Sequence, residues 1–207
     1  NGIYLAGYNT TTIEKSHIEG DDTGIEIRAG KLSVKDSVIN GKAAETVVNA
    51  DGNGSTTVGA GIAIAQHTTE LPIDVKISSG KITGASAVYE SNPQKNDKDS
   101  IAKIKLSIVD GNFTGDIYSE DIKGFISGGL FSKEFDKSYC ETGLKIIKNT
   151  DKSTNQNYPV TVGTIKANNV GKIREASELR ENVTTVGANI LGEENIKAAK
   201  AIADSVT

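Results

Sequence analysis

Five segments of this chain align without a gap: TTIEKSHIEG, LSVKDSVING, VKISSGKITG, LSIVDGNFTG and GFISGGLFSK. One column of that alignment holds Ile13, Val34, Ile77, Ile108 and Ile126. Five positions later another holds Ile18, Ile39, Ile82, Phe113 and Phe131, and between them lie Ser16, Ser37, Gly80, Gly111 and Gly129. A short segment of this kind cannot bury its own apolar face, so each copy must borrow its neighbour's, and the repeat predicts a stacked architecture. The small column predicts a bend or a close backbone approach.

Each repeat carries a second apolar element. Gly2, Ile3 and Leu5 recur in spacing as Gly24, Ile25 and Ile27 and again as Gly61, Ile62 and Ile64. Ala87 and Ile117 sit in degenerate copies of the same pattern. Strict alternation of this sort marks a strand with one face buried. The outward stripe beside these residues is then Tyr4, Glu26, Ala63, Val88 and Tyr118. Successive members of the Ile18 column stand 21, 43, 31 and 18 residues apart, so the longer steps contain insertions. One covers residues 42–59, a loop or an extra repeat. The other covers residues 91–100 and reads as a polar surface loop.

The resulting expectation is an all-β chain: a right-handed, single-stranded parallel β-helix over residues 1–133. An irregular cap with a closing strand near Tyr158 and Val160 follows over residues 134–163. Ile173, Ala176, Leu179 and Val183, then Ile196, Ala199, Ala203 and Val206, predict short helices in a C-terminal appendage, residues 164–207. Since the repeat is already under way at Gly2, the chain is expected to be part of a larger polypeptide.

Composition narrows the function classes. Apolar residues make up 36%, Trp and Met are absent, and 22 glycines suit short strands joined by tight turns. A net charge of -4 with scattered lysines argues against nucleic acid, which requires a clustered basic face. No apolar run reaches the ~18 residues of a membrane-spanning helix. Cys140 is alone, which excludes an intrachain disulfide framework.

The repeat register resembles the right-handed parallel β-helix of the pectin-lyase-like superfamily. A second resemblance lies in residues 126–162. Ile126, Ser127, Gly128, Gly129, Phe131 and Ser132, then Asp136, Tyr139, Cys140 and Gly143, and finally Tyr158 and Val160, are similar to an end-of-repeat motif. That motif belongs to large surface proteins of Gram-positive, often gut-dwelling, bacteria. The resemblance implies an exported, cell-surface or wall-associated protein in which the β-helix is a stalk or interaction module.

Many β-helices act on polysaccharides, so lyase and glycoside hydrolase chemistry are the enzymatic alternatives. A lyase needs carboxylates on Ca²⁺ and an Arg or Lys as base. Arg28 is the one arginine in the repeats, and alternation with Ile25 and Ile27 predicts that Glu26 and Arg28 face outward as a surface pair. A hydrolase needs paired carboxylates, and the best cluster is Asp21 and Asp22, in a Gly-flanked segment that reads as a turn. The Gly-His-Gly and Arg-Ile-Lys segments of the polygalacturonase-like family are absent. His17 and His67 lack a ligand-spaced neighbour, so no metal site is expected, and no cofactor motif occurs. Asp51 to Ser55 reads as a flexible turn and lacks the acidic spacing of an EF-hand.

For binding, Tyr4 and Tyr118 offer aromatic faces to sugars, and the insertions, with Asp51, Asn53, Asn92 and Lys95, sit where loops on a rigid scaffold carry recognition. The expectation is a non-enzymatic, adhesin-like module for a glycan or a host surface protein. Its alternatives are a polysaccharide lyase or hydrolase using Asp21, Asp22 and Arg28, and an inert spacer.

Overall fold

A gapless repeat in parallel strands must place equivalent residues opposite one another, because side chains alternate with a period of two and a one-residue slip would turn every apolar group outward. The computed structural model describes residues 1–164, and the helices expected further on lie outside them. The described residues are predominantly β; helical structure among them is confined to Lys98–Ile101 and a 3₁₀ turn at Lys137–Tyr139.

The first column of the alignment is one ladder. Ile13 faces Val34, Val34 faces Ile77, and Ile77 faces Ile108 in a four-stranded parallel sheet, with Ile108 bridged onward to Ile126. A second ladder joins Ile18, Ile39, Ile82, Phe113 and Phe131 in the large sheet. A third, also in the large sheet, joins Ile3, Ile25, Ile62, Val88 and Ile117. Here the sequence places Ala87, and the structure corrects it to Val88. The strand Gly80–Ser91 runs through both the second and third ladders, and its register against Asn112–Ser119 shifts between Thr83 and Ser86 and again between Ser86 and Val88. Such bulges let one strand turn a corner without breaking its pairing.

Inward residues of both sheets make one apolar core. Ile39, Ile82, Phe113 and Phe131 are all but inaccessible, and each contributes about 1.5–3 kcal/mol by burial. The Phe113 and Phe131 rings stack at 5.0 Å with 13° between planes, the direct result of like residues on adjacent strands.

The small column is a corner built in two ways. Gly111 has φ +134°, a conformation that favours glycine, and an added Cβ would meet the Gly80 carbonyl in a tight 3.1 Å contact. In the first two repeats the left-handed residue comes one position earlier, at Lys15 and Asp36. Ser37 then bridges the corners, its Oγ donating to the Lys35 carbonyl and accepting from the Ser16 N–H.

In the large sheet, parallel pairing ends at Leu130–Phe131. Val160–Gly163 lies antiparallel to it, Val160 facing Phe131, and Lys145–Lys148 pairs antiparallel on the far side. That edge is thereby covered rather than left open. Residues 42–59 do not form an extra repeat; Val47–Val48 and Thr57–Val58 make a small antiparallel hairpin. The second insertion lies at the surface, as expected, but is tied down. Asp97 caps the helical turn Lys98–Ile101, and the Asn96 side chain donates to Gln66 Oε1 and to the His67 carbonyl. Cys140 is buried, and burial pushes its thiol above the usual range, as suits a packing residue.

Candidate functional site

The outward row of the large sheet follows from the third ladder: Tyr4, Glu26, Ala63, Tyr89 and Tyr118. The bulged strand puts Tyr89, not Val88, in this row. Tyr118 is therefore not a lone aromatic. Its ring stacks on Tyr89 at 4.8 Å, with 21° between the planes. The next strand, Leu130–Phe131, meets the strand of Tyr118 at Asn112 and Phe113 alone, so no strand residue follows Tyr118 in the row, and it is 40% exposed.

The tyrosine pair floors a cleft of about 770 Å³. Residues 44–46, from the first insertion, form one wall, and residues 132–134 form the other. Thr46 Oγ1 and Ser86 Oγ lie 2.8 Å apart and fasten the first wall to the floor. Gly115 N–H donates to Ser132 Oγ at 3.0 Å, and Lys133 Nζ lies 2.7 Å from Asp116 Oδ1, fastening the second. Partial burial, then the neighbouring phenol and Glu120, raise the Tyr89 hydroxyl above its ordinary pKa; burial and Glu120 do the same for Tyr118. Both phenols are hydrogen-bond donors at neutral pH.

Most of the other candidate binding residues gather around Glu26 and Arg28. The structure corrects the surface-pair reading: both are fully buried, and they make no ion pair with each other. They do point away from Ile25 and Ile27, but residues 51–56 fold over them. Glu26 Oε1 accepts from the Thr56 N–H and hydroxyl, each at 2.7 Å, while Oε2 accepts from Ser55 Oγ and, at 3.1 Å, from Asn1 Nδ2. Arg28 donates to the carbonyls of Ala65 at 3.2 Å, Asp51 at 2.7 Å and Gly54. Tyr4 Oη donates to the Asn53 and Gly54 carbonyls. Asp51 Oδ1 accepts the N–H groups of Asn53 and Gly54, which hold its carboxyl below the usual range.

The two insertions meet here, since Gln94 Nε2 donates to the Asp51 carbonyl at 2.7 Å. Asn92 exchanges both side-chain hydrogen bonds with the Asn96 backbone, and Lys95 is exposed at φ +55°. Tyr4, Asp51 and Asn53 thus share one patch with Asn92 and Lys95 nearby, whereas Tyr118 stands apart at the far end of the row. Within the patch the side chains are largely occupied in holding the loops. Asp21 and Asp22 lie on an exposed bend, and Arg28, sealed under main-chain oxygens, is not presented to a substrate beside them. Among the described residues, no three His, Cys, Asp or Glu side chains are grouped to hold a metal, and no helix is long and apolar enough to cross a membrane.

Glu90 was missed by the sequence reading. It faces inward in the row of Ile27, Ile64 and Ser119 and is fully buried. Its Oε2 accepts from Ser119 Oγ at 2.6 Å and Asp121 N–H at 3.1 Å, but Oε1 is buried without a partner. Burial is the main cause that raises its pKa. The folded protein therefore keeps this proton at pH values where the unfolded chain, at about 4.3, has lost it. Stability supplied by the neutral carboxyl is full below that value and falls as pH rises through the folded pKa. Glu90→Gln is expected to melt higher than the parent at pH 8 and to lose that advantage at pH 4. Parallel melting curves across pH cancel the shared carboxylates; an advantage constant with pH would contradict the assignment.

Comparison with protein-family models, curated proteins and solved structures returns no match to this chain.

Proposed function

We propose that this chain is a non-enzymatic, adhesin-like glycan-binding module of an extracellular, wall-associated protein, and that the cleft over Tyr89 and Tyr118 is its binding site. The observation that carries the reading is the stacked tyrosine pair flooring a walled cleft. The apolar face of a pyranose packs on an aromatic ring, and phenol, hydroxyl and carboxylate groups around it pair with sugar hydroxyls. The cleft falls within the size of ordinary small-ligand sites, and walls tied to the sheet reduce the entropy lost on binding.

The scaffold we infer is a right-handed parallel β-helix of pectin-lyase-like type. Parallel ladders joining successive repeats support it, and crossovers between parallel strands of one sheet are right-handed in about 98% of cases. The likeness of residues 126–162 to the end-of-repeat motif of Gram-positive surface proteins supports the extracellular placement. A rigid stack suits display, because it presents one outer row at a fixed spacing of about 4.8 Å.

A broad glycan array, with and without Ca²⁺, tests the reading. Saturable binding is expected, with Tyr118→Ala lowering affinity about tenfold, near 1.4 kcal/mol, and Tyr118→Phe retaining most of it. Binding indifferent to Tyr118→Ala, or no binding to any glycan, would overturn it.

A further inference from the structure

The cleft's charges discriminate among glycans, an inference that rests on the glycan-binding reading. Three carboxylates line it: Glu45 on one wall, Glu134 on the other, and Asp116 beside the floor. Lys133 is the one cationic side chain of the lining, and Asp116 already neutralises it at 2.7 Å. Glu45 and Glu134 are exposed and make no ion pair with a described residue. Two carboxylates without an ion-pair partner among the described residues therefore line the same cleft as the stacked tyrosine rings.

That combination favours a cation. The face of an aromatic ring attracts an ammonium through its quadrupole. Carboxylates on either side add Coulomb attraction, and the same charges repel an anionic sugar. We propose that the cleft takes a glycan carrying free amino groups, a de-N-acetylated hexosamine polymer, in preference to its N-acetylated counterpart, and that it rejects uronate polymers. The ammonium would pair with a lining carboxylate, Glu45 or Glu134, while the adjacent ring packs on Tyr118. Both contacts are exposed, so the selectivity is modest and salt-sensitive.

The experiment is calorimetric titration of the protein with three oligosaccharides of equal length: glucosamine, N-acetylglucosamine and galacturonate. It is run at a pH that keeps the amine protonated, at low and at high salt. Glucosamine oligomers are expected to bind about five- to tenfold tighter than N-acetylglucosamine oligomers, with the margin shrinking at high salt. Galacturonate is expected not to bind. Glu45→Gln with Glu134→Gln should abolish the margin, weakening glucosamine binding more than N-acetylglucosamine binding. Asp21→Asn with Asp22→Asn, which removes the same charge away from the cleft, should leave the margin intact. Equal affinities for the two hexosamines, tighter galacturonate binding, or a margin removed equally by the Asp21 and Asp22 changes would overturn the charge selection while sparing the site. Binding of all three that ignores Tyr118→Ala would remove the site itself.

Discussion

Replacing Phe113 with alanine is expected to lower the free energy of unfolding by about 3–5 kcal/mol, the cost typical of removing a buried aromatic from a packed core. Phe113 is fully buried, faces Ile82 on one side and stacks on Phe131 on the other. Truncation opens a cavity within a ladder rather than at its end, and the flanking strands are held apart by their own hydrogen bonds, so collapse cannot fill it. Each repeat gains most of its burial from its neighbours, so losing one rung of the ladder weakens both adjacent contacts. Phe113→Leu, which keeps much of the volume, should cost distinctly less. Val109→Ala serves as the reference; Val109 is 43% exposed, and its loss should stay within about 0.5 kcal/mol. Urea unfolding measures all three, and a Phe113→Ala loss no larger than that of Val109→Ala would refute the packed ladder.

The second large effect is expected at Arg28. Arg28→Ala should cost about 2–4 kcal/mol, because three carbonyls lose a charge-assisted donor, and a bond to a charged group is worth about 1.5–3 kcal/mol. The Gly54 carbonyl keeps Tyr4 Oη as a donor, and that of Asp51 keeps Gln94 Nε2. The figure stays below the simple total because those two carbonyls keep a donor and residues 51–54 can lift and admit water. Arg28→Lys should restore little, since one ammonium cannot span carbonyls from Ala65 to Gly54 as a planar fork does. Amide exchange gives the local readout. Thr56 N–H, held by the neighbouring Glu26 carboxylate, should lose protection in Arg28→Ala, while Ile39 in the core ladder loses no more than global stability requires. Unchanged stability and unchanged exchange at Thr56 would show that Arg28 does not hold the loop.

The ladders were legible because side-chain period in a strand is fixed and the apolar columns are spaced alike in every copy. Ile13 to Ile126 and Ile18 to Phe131 needed no more than alignment. Tyr89 was not legible, because the bulges within Gly80–Ser91 add residues that strict alternation does not anticipate. A looser match of Val88 and Tyr89 to Ile117 and Tyr118, an apolar residue followed by tyrosine, would have paired the rings. Glu26 and Arg28 show a different limit. Alternation gave the face of the strand correctly, but whether that face meets water depends on residues 51–56, more than twenty positions away. Glu90 is the converse: a charged residue type suggests the surface, and only the register reveals that it shares an inward row with Ile27 and Ile64.

The claim at the centre of this account is that recognition occurs over Tyr89 and Tyr118. Backbone amide shifts recorded while an oligosaccharide found on the array is titrated into the protein test it most directly. The expected result is a contiguous set of perturbed amides at Tyr89, Gly115, Asp116, Tyr118 and Ser132, saturating at the calorimetric affinity. Perturbations confined to Asn53, Asn92 and Lys95, with the cleft unmoved, would contradict it and assign recognition to the joined insertion loops.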